Sequence, residues 1–212
     1  FKRFLKDADL LDDNGFTRFA EIISDIGLDE NLSWALMLAN LAYNPQIGWY
    51  ICNISFGETM SKEYVCSMLV DSGADEKWVN DVWSSLARIL DLPFSHVGLG
   101  EMVKEKNKAV ALYRTGWQVP DERVILYSLY QFSEKCGNFK QFTLTRLLDT
   151  SIESDGISPT QIFGLNRDTM EKILNGLTFN YPDLIEARFT LGLDNITLKS
   201  DKSAEEILNE LF

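Results

Sequence analysis

Residues 61–114 read SKEYVCSMLVDSGADEKWVNDVWSSLARILDLPFSHVGLGEMVKEKNKAVALYR, and this stretch decides the fold class. The first ten residues predict a helix, because Ser61 is a preferred N-cap and Glu63 places a negative charge in the first turn. The run at 71–75 predicts a turn. A second helix is predicted over 76–90, where apolar residues recur at three- and four-residue spacing. The predicted apolar face comprises Trp78, Val79, Val82, Trp83, Leu86, Ile89 and Leu90.

A charged β-hairpin is predicted after the second helix, which Pro93 ends. Two short runs, 99–104 and 109–114, flank the tetrapeptide Glu105-Lys106-Asn107-Lys108. Strand-forming runs around a short polar segment are typical of a hairpin. Helix, turn, helix and hairpin together are the outline of a winged helix-turn-helix.

The whole chain is predicted to be mainly α with small β-hairpins, in two winged-helix-like units. Residues 1–30 form an N-terminal helical lead-in, residues 31–116 the first unit, and residues 117–212 a second, more divergent unit. The predicted apolar face of the lead-in helix comprises Phe16, Phe19, Ile22, Ile23 and Ile26. In the first unit, 31–43 predicts a buried helix and 47–55 a short strand that pairs with the hairpin. A second hairpin is predicted around Leu191-Gly192-Leu193-Asp194.

Composition narrows the functional classes. The chain has 212 residues, of which 45% are hydrophobic and 25% charged, as in an ordinary globular protein. No apolar run approaches the roughly 20 residues that cross a bilayer, so no membrane partner is expected.

Cys52, Cys66 and Cys136 contain no CxxC pair, which favours a reducing cytoplasm over a disulfide framework. His96 is the single histidine, and Gly98-Leu99-Gly100 lacks the spacing of a nucleotide loop. The patterns therefore predict no catalytic residue, no metal site and no cofactor.

Basic residues of the first unit are candidates for contacts with DNA. Lys77 and Arg88 lie on the predicted recognition helix, and the predicted hairpin or wing carries the other candidates, Lys104, Lys106, Lys108 and Arg114. A formal net charge of −12 opposes broad affinity for nucleic acid. Carboxylates also flank the helix, at Asp75, Glu76, Asp81 and Asp91. The alternative is that the fold serves as a protein-interaction scaffold and that the lysines only solvate a loop.

Several segments of the chain carry a family resemblance. They are RTGW at 114–117, VILYSLY at 124–130, DGISPTQIFGL at 155–165, ILNGL at 173–177, YPD at 181–183 and LDNI at 193–196. This set resembles the C-terminal region of bacterial proteins of the phosphoadenosine phosphosulfate (PAPS) reductase family. The resemblance implies that the chain is associated with sulfur-handling or DNA-sulfur-modification systems. It transfers no catalytic residue, because Lys135-Cys136-Gly137-Asn138 lacks the Glu before and the His after the cysteine of the family's catalytic motif, and the pyrophosphate loop is absent.

These observations predict a non-catalytic binding or scaffolding module of a bacterial system, which contacts a protein partner and is a candidate for contact with DNA through its basic wing. The alternative is a component of a PAPS-reductase-like or DNA-sulfur-modification enzyme system. Homodimerisation through the aromatic-rich first half of the chain is a further expectation.

Overall fold

Most of the residues in regular secondary structure are helical, and the strands form two small antiparallel sheets. The computed structural model describes residues 2–151, 154–190 and 193–212. Its α-helices are α1 (Lys2–Asp7), α2 (Arg18–Ile26), α3 (Asn31–Leu41), α4 (Pro45–Asn53), α5 (Lys62–Asp71), α6 (Val79–Leu90), α7 (Glu122–Lys135), α8 (Leu144–Leu148), α9 (Pro159–Phe163), α10 (Arg167–Asn180) and α11 (Ala204–Leu211). Its strands are β1 (Thr59–Ser61), β2 (Glu101–Glu105), β3 (Lys108–Tyr113), β4 (Gln141–Phe142), β5 (Ile185–Thr190) and β6 (Leu193–Leu198). The chain is thus mixed α/β with helices in the majority, which agrees in part with the prediction of a mainly helical chain with small hairpins.

The helices and hairpin predicted within 61–114 are present. Ser61 caps α5, because its Oγ accepts a hydrogen bond from the backbone N–H of Tyr64 at 3.2 Å. The predicted second helix begins as a 3₁₀ turn over Glu76–Trp78 and continues as α6. Strands β2 and β3 form the hairpin, and β1 pairs with the other edge of β3.

The strand predicted over 47–55 is wrong, because residues 47–53 belong to helix α4. Asn44 caps the helix, because its side-chain oxygen accepts hydrogen bonds from the N–H groups of Gln46 and Ile47. Pro45 occupies the first helical position, where proline is common. Ile47, Tyr50 and Ile51 then share one buried face at helical spacing. The strand that pairs with the hairpin is β1, which follows α4 after a short loop.

Two aromatic residues that were predicted on buried faces are exposed. Phe16 is 79% exposed because it precedes Thr17, the N-cap of α2, and so lies outside the helical register. Trp78 is 56% exposed because it lies in the 3₁₀ turn, which has a different rotation per residue from α6. The predicted face is otherwise buried or half-buried in α6, from Val79 to Leu90.

The second half of the chain repeats the order of elements seen in the first. Helix α7 is followed by β4, by helices α8, α9 and α10, and by the hairpin β5–β6, whose sheet has the order β4-β6-β5. Residues 191–192 of the predicted second turn lie outside the described residues. Buried apolar side chains form one cluster that extends from Ala8 to Leu208. The division at 30 and 116 stays a prediction, and the core is continuous across both positions.

A close approach of two backbones joins the two halves. The N–H of Trp117 donates to the carbonyl oxygen of Phe163 at 2.7 Å, immediately beside the Gly116–Gly164 contact. A Cβ atom added at Gly116 would lie 2.2 Å from the carbonyl oxygen of Gly164. Since the obstructing oxygen belongs to the backbone and cannot rotate aside as a side chain would, this position has no room for a side chain.

We therefore expect Gly116→Ala to lower the free energy of unfolding by about 2 kcal/mol or more, since inserting a methyl group into a packed joint forces backbone shifts. The matched control is Gly176→Ala, in α10, where the added Cβ would meet the movable carboxylate of Glu122. Relief of the helical glycine penalty offsets that contact, so a change within about 1 kcal/mol is expected. Urea denaturation measures both values. Equal losses in the two variants would contradict a tight joint at Gly116.

Candidate nucleic-acid interface

The hairpin β2–β3 presents a lysine at its tip through a two-residue turn. Glu105 and Lys108 are paired across the strands, and Lys106 and Asn107 between them have φ angles of 47° and 66°. Two consecutive positive φ values are typical of the type I′ turn that suits the twist of a hairpin, and Asn tolerates them well. Because Lys106 lies in the turn itself and Lys108 starts the return strand, both ammonium groups are carried at the exposed end of the hairpin.

A groove lies between the hairpin and the helices α5 and α6. Its volume is about 540 Å³, and its walls come from α5, α6 and β3. Its charged lining residues are Lys62, Lys108 and Glu63, so the two lysines face one carboxylate. The register of β2 against β3 shifts between Val103 and Lys104, as in a β-bulge, which bends the hairpin locally. The groove thus places a lysine of α5 beside Lys108, the first residue of β3.

The outer face of α6 carries few charges. Ser84 and Ser85 turn their hydroxyls back onto the helix, donating to the carbonyl oxygens of Asn80 and Asp81 at 2.8 and 2.9 Å. Arg88 is exposed near the carboxyl end of the helix, one turn from Ser84. The face therefore offers one cation and one carboxylate, Asp81, to a partner.

Ion pairs neutralise two of the carboxylates that flank α6. Lys77 lies 2.7 Å from Asp75, and Lys104 lies 2.6 Å from Asp91. The hydrogen bonds from the side chain and backbone N–H of Lys77 hold the pKa of Asp75 below its ordinary value. In the part of the chain that the structure describes, Arg88, Lys106 and Lys108 have no ion-pair partner. Of the candidate cations, these are the ones available to phosphate.

Arg114 is not an interface residue, which corrects the prediction that it belongs to the basic wing. Its side chain is completely buried at the end of β3. Nη1 donates to the carbonyl oxygens of Ile51 and Ile54 at 2.6 and 2.9 Å. Nη2 donates to those of Gln161 and Ile162 at 2.6 and 3.4 Å. The guanidinium therefore connects the carboxyl end of α4 to α9 and cannot reach a phosphate.

Aromatic rings and carbonyl dipoles hold this buried charge in place. The guanidinium carbon lies 3.9 Å from the ring centroid of Phe56 and 5.5 Å from that of Tyr50. The hydroxyl of Tyr50 donates to the carbonyl oxygen of Leu99 at 2.7 Å, which fixes the ring. Desolvation lowers the pKa of Arg114 to about 10, so the side chain remains charged at neutral pH. Arg114 acts as a structural crosslink.

Lys62 is the residue of this site that the sequence pattern did not reveal. It follows the N-cap Ser61 and has no basic neighbour in the sequence, so no local signal marks it. It reaches the groove because α5 packs against β1 and β3. Only the packing of α5 on the sheet brings Lys62 and Lys108 to one groove.

Other reactive groups were also located. His96 is exposed in a 3₁₀ turn over Pro93–Val97. Burial raises the pKa of the thiols of Cys52 and Cys66, so neither is activated as a thiolate. Within residues 2–151, 154–190 and 193–212, no group of three or more His, Cys, Asp or Glu side chains is placed to hold a metal ion. No helix of the described residues has the length and apolar composition needed to cross a membrane.

Comparison with known proteins identifies a shared fold. No protein-family model and no curated protein matches the chain. A crystal structure of magnesium ion-bound SspB resembles it with a TM-score of 0.67 and 15% sequence identity. The similarity covers 99% of this chain and 73% of that chain. Similarity at this level of identity concerns the fold alone.

We expect Arg114→Met to lower the free energy of unfolding by about 3 kcal/mol or more, because carbonyl oxygens of α4 and α9 lose their donor while remaining buried. Arg88→Met is the matched control: it removes the same charge from an exposed site, where a change within about 0.5 kcal/mol is expected. Urea denaturation of the two variants measures the difference. A small loss for Arg114→Met would show that water or another donor replaces the guanidinium.

Proposed function

We propose that the chain is a non-catalytic binding module made of two winged-helix-like units, and that the first unit contacts DNA through its basic hairpin. The observation that carries the proposal is the position of Lys106 and Lys108, which are exposed at the hairpin tip without ion-pair partners in the described chain. Lys62 lines the groove beside Lys108, and Arg88 is exposed in the last turn of α6.

The topology of the two halves supports the winged-helix part of the proposal. The first half has the order α4, β1, α5, α6, β2, β3, and its last strand is central in the sheet. The second half has α7, β4, helices α8 to α10, β5 and β6, again with the last strand central. In both, a group of helices, α5 and α6 in the first half and α8 to α10 in the second, is followed by a hairpin that is completed by a strand from before the group; the first half has the helical pair of a winged helix-turn-helix.

Electrostatics favour the hairpin over α6 as the contact to DNA. Glu76 and Asp81 at the amino end of the α6 segment have no ion-pair partner in the described residues and would repel phosphates. Beyond the bulge, the hairpin tip instead carries two lysines, Lys106 and Lys108, without ion-pair partners in the described residues, against one exposed carboxylate, Glu105. Phosphate contacts position a protein without reading sequence, so the proposed binding is of low sequence specificity. A net charge of −12 further restricts it to this one surface and to low salt.

The DNA proposal predicts a salt-dependent affinity that depends on the hairpin. Fluorescence anisotropy with labelled duplex DNA should show affinity falling as salt rises above about 50 mM. Lys106→Glu combined with Lys108→Glu should weaken binding about tenfold or more at low salt. The same double change should reduce the slope of log affinity against log salt by about 2, because two phosphate contacts are lost.

A charge-matched variant separates the hairpin from net charge. Lys2→Glu combined with Lys172→Glu makes the same change in charge at exposed lysines outside the hairpin. We expect this control to retain most of the affinity. If the two double variants weaken binding equally, or if wild-type affinity is indifferent to salt, the hairpin is not the contact surface.

The second candidate function is that of a component of a PAPS-reductase-like or DNA-sulfur-modification enzyme system. It is favoured by a contact between two of the segments that carry the family resemblance. In the 114–117 segment, Arg114 donates to the carbonyl oxygen of Gln161, and Trp117 donates to that of Phe163. Both acceptors belong to the 155–165 segment. These two segments thus form one structural joint, and under this proposal the chain contributes binding to the system.

Adenosine nucleotides test this second candidate. If the native chain binds them, a concentration about tenfold above the dissociation constant should raise the melting temperature by about 3 °C. Cytidine monophosphate at the same concentration controls for general anion binding. The absence of a shift at millimolar adenosine nucleotide, or an equal shift with both nucleotides, would count against a nucleotide-binding component.

A further inference from the structure

An apolar groove lies on the N-terminal helices, far along the chain from the basic hairpin. It has a volume of about 670 Å³ and lies between α1, the α1–α2 connection and α2. Leu5, Leu10 and Ala20 line it, and Phe16 and Leu28 stand at its edge with 79% and 59% of their surface exposed. We call this surface the N-terminal groove. Large apolar side chains exposed around one concavity are typical of an interaction site.

The backbone beneath both exposed side chains is held by hydrogen bonds. The indole N–H of Trp34 donates to the carbonyl oxygen of Leu28 at 2.8 Å, and the hydroxyl of Ser33 donates to that of Gly27 at 2.7 Å. Phe16 pairs with Leu11 in an isolated β-bridge. Since their backbone is already ordered, Phe16 and Leu28 can bind a partner with a reduced entropic cost.

The charged residues that line the N-terminal groove are carboxylates. Glu21 and Asp25 line it, and none of its described lining residues is a Lys or Arg. Nη1 of Arg18 lies 2.8 Å from the carboxylate of Glu21, so Asp25 is the lining carboxylate without an ion-pair partner in the described residues. Asp29 and Glu30 follow directly after Leu28 and are exposed. An apolar floor with carboxylates beside it is complementary to a helix whose apolar face is flanked by Lys or Arg.

We infer that the N-terminal groove is the docking site for a basic amphipathic helix of a protein partner. The apolar face of that helix contacts Phe16 and Leu28, and its cations face Asp25 and Asp29. A second copy of this chain is a poorer occupant, because a symmetric contact through this groove would bring the two sets of carboxylates together. The inference shares no residue with the proposed DNA contact, so each can fail without the other.

The test uses a labelled peptide of about 18 residues, or five helical turns, with Leu on one face and Lys on the other. We expect the full chain to bind it in fluorescence anisotropy, and Phe16→Ser combined with Leu28→Ser to weaken binding about tenfold or more. The matched control is Val119→Ser combined with Phe179→Ser, which removes two apolar side chains that are 83% and 85% exposed elsewhere. This control should bind like the wild type.

Two further peptides separate groove binding from general attraction to an acidic protein. A scrambled peptide of the same composition has no apolar face, and a Leu/Glu peptide of the same pattern has the opposite charge; both should bind about tenfold more weakly. Asp25→Lys combined with Asp29→Lys should reverse the preference between the Lys and Glu peptides. Equal binding of the scrambled peptide, or equal losses in the groove and control variants, would overturn the inference. A dimer in light scattering that Phe16→Ser and Leu28→Ser abolish would also overturn it, because the occupant would then be a second copy.

Discussion

The buried guanidinium of Arg114 is the interaction on which the rest of the structure depends. It ends strand β3 and donates to carbonyl oxygens of α4 and α9, so one side chain connects the sheet of the first half to a helix of the second. Carbonyl dipoles and the faces of Tyr50 and Phe56 replace the water that the charge has lost. Beside it, Gly116 allows the two backbones to touch. The base of the hairpin is therefore fixed, while its tip extends into solvent.

This anchoring separates two kinds of basic residue that look alike in the sequence. Arg114 and Lys106 lie eight positions apart, and both belong to the predicted hairpin segment, yet one stabilises the core and the other is exposed. The acidic charge of the chain is distributed just as unevenly. At the N-terminal groove Asp25 and Asp29 have no ion-pair partner in the described residues, while Arg18 engages Glu21. Near the hairpin, Lys77 and Lys104 engage Asp75 and Asp91. An acidic protein can therefore offer one surface to a polyanion and another to a cationic partner.

Local signals predicted much of the fold because they act within a few residues. The Ser61 cap, the apolar spacing of α6 and the polar turn between β2 and β3 are all short-range features, and each appears where it was expected. The segment 47–55 was misjudged because its aromatic and β-branched residues suit a strand, while the Asn44 cap and Pro45 start a helix. Strand propensity and helix capping therefore favour different structures for this segment. The helix forms because it lets Ile47, Tyr50 and Ile51 pack against the core.

The sequence by itself determined the helical character of the chain, the position of the hairpin and the presence of lysines at its tip, because periodicity, caps and turns are local. Only the tertiary structure decided which cations are free. Arg114 is a crosslink because α4 and α9 meet at the end of β3. Lys62 lies in the groove beside Lys108 because α5 packs on the sheet. Burial and ion pairing depend on residues distant in the sequence, so no local pattern could distinguish an interface cation from a structural one.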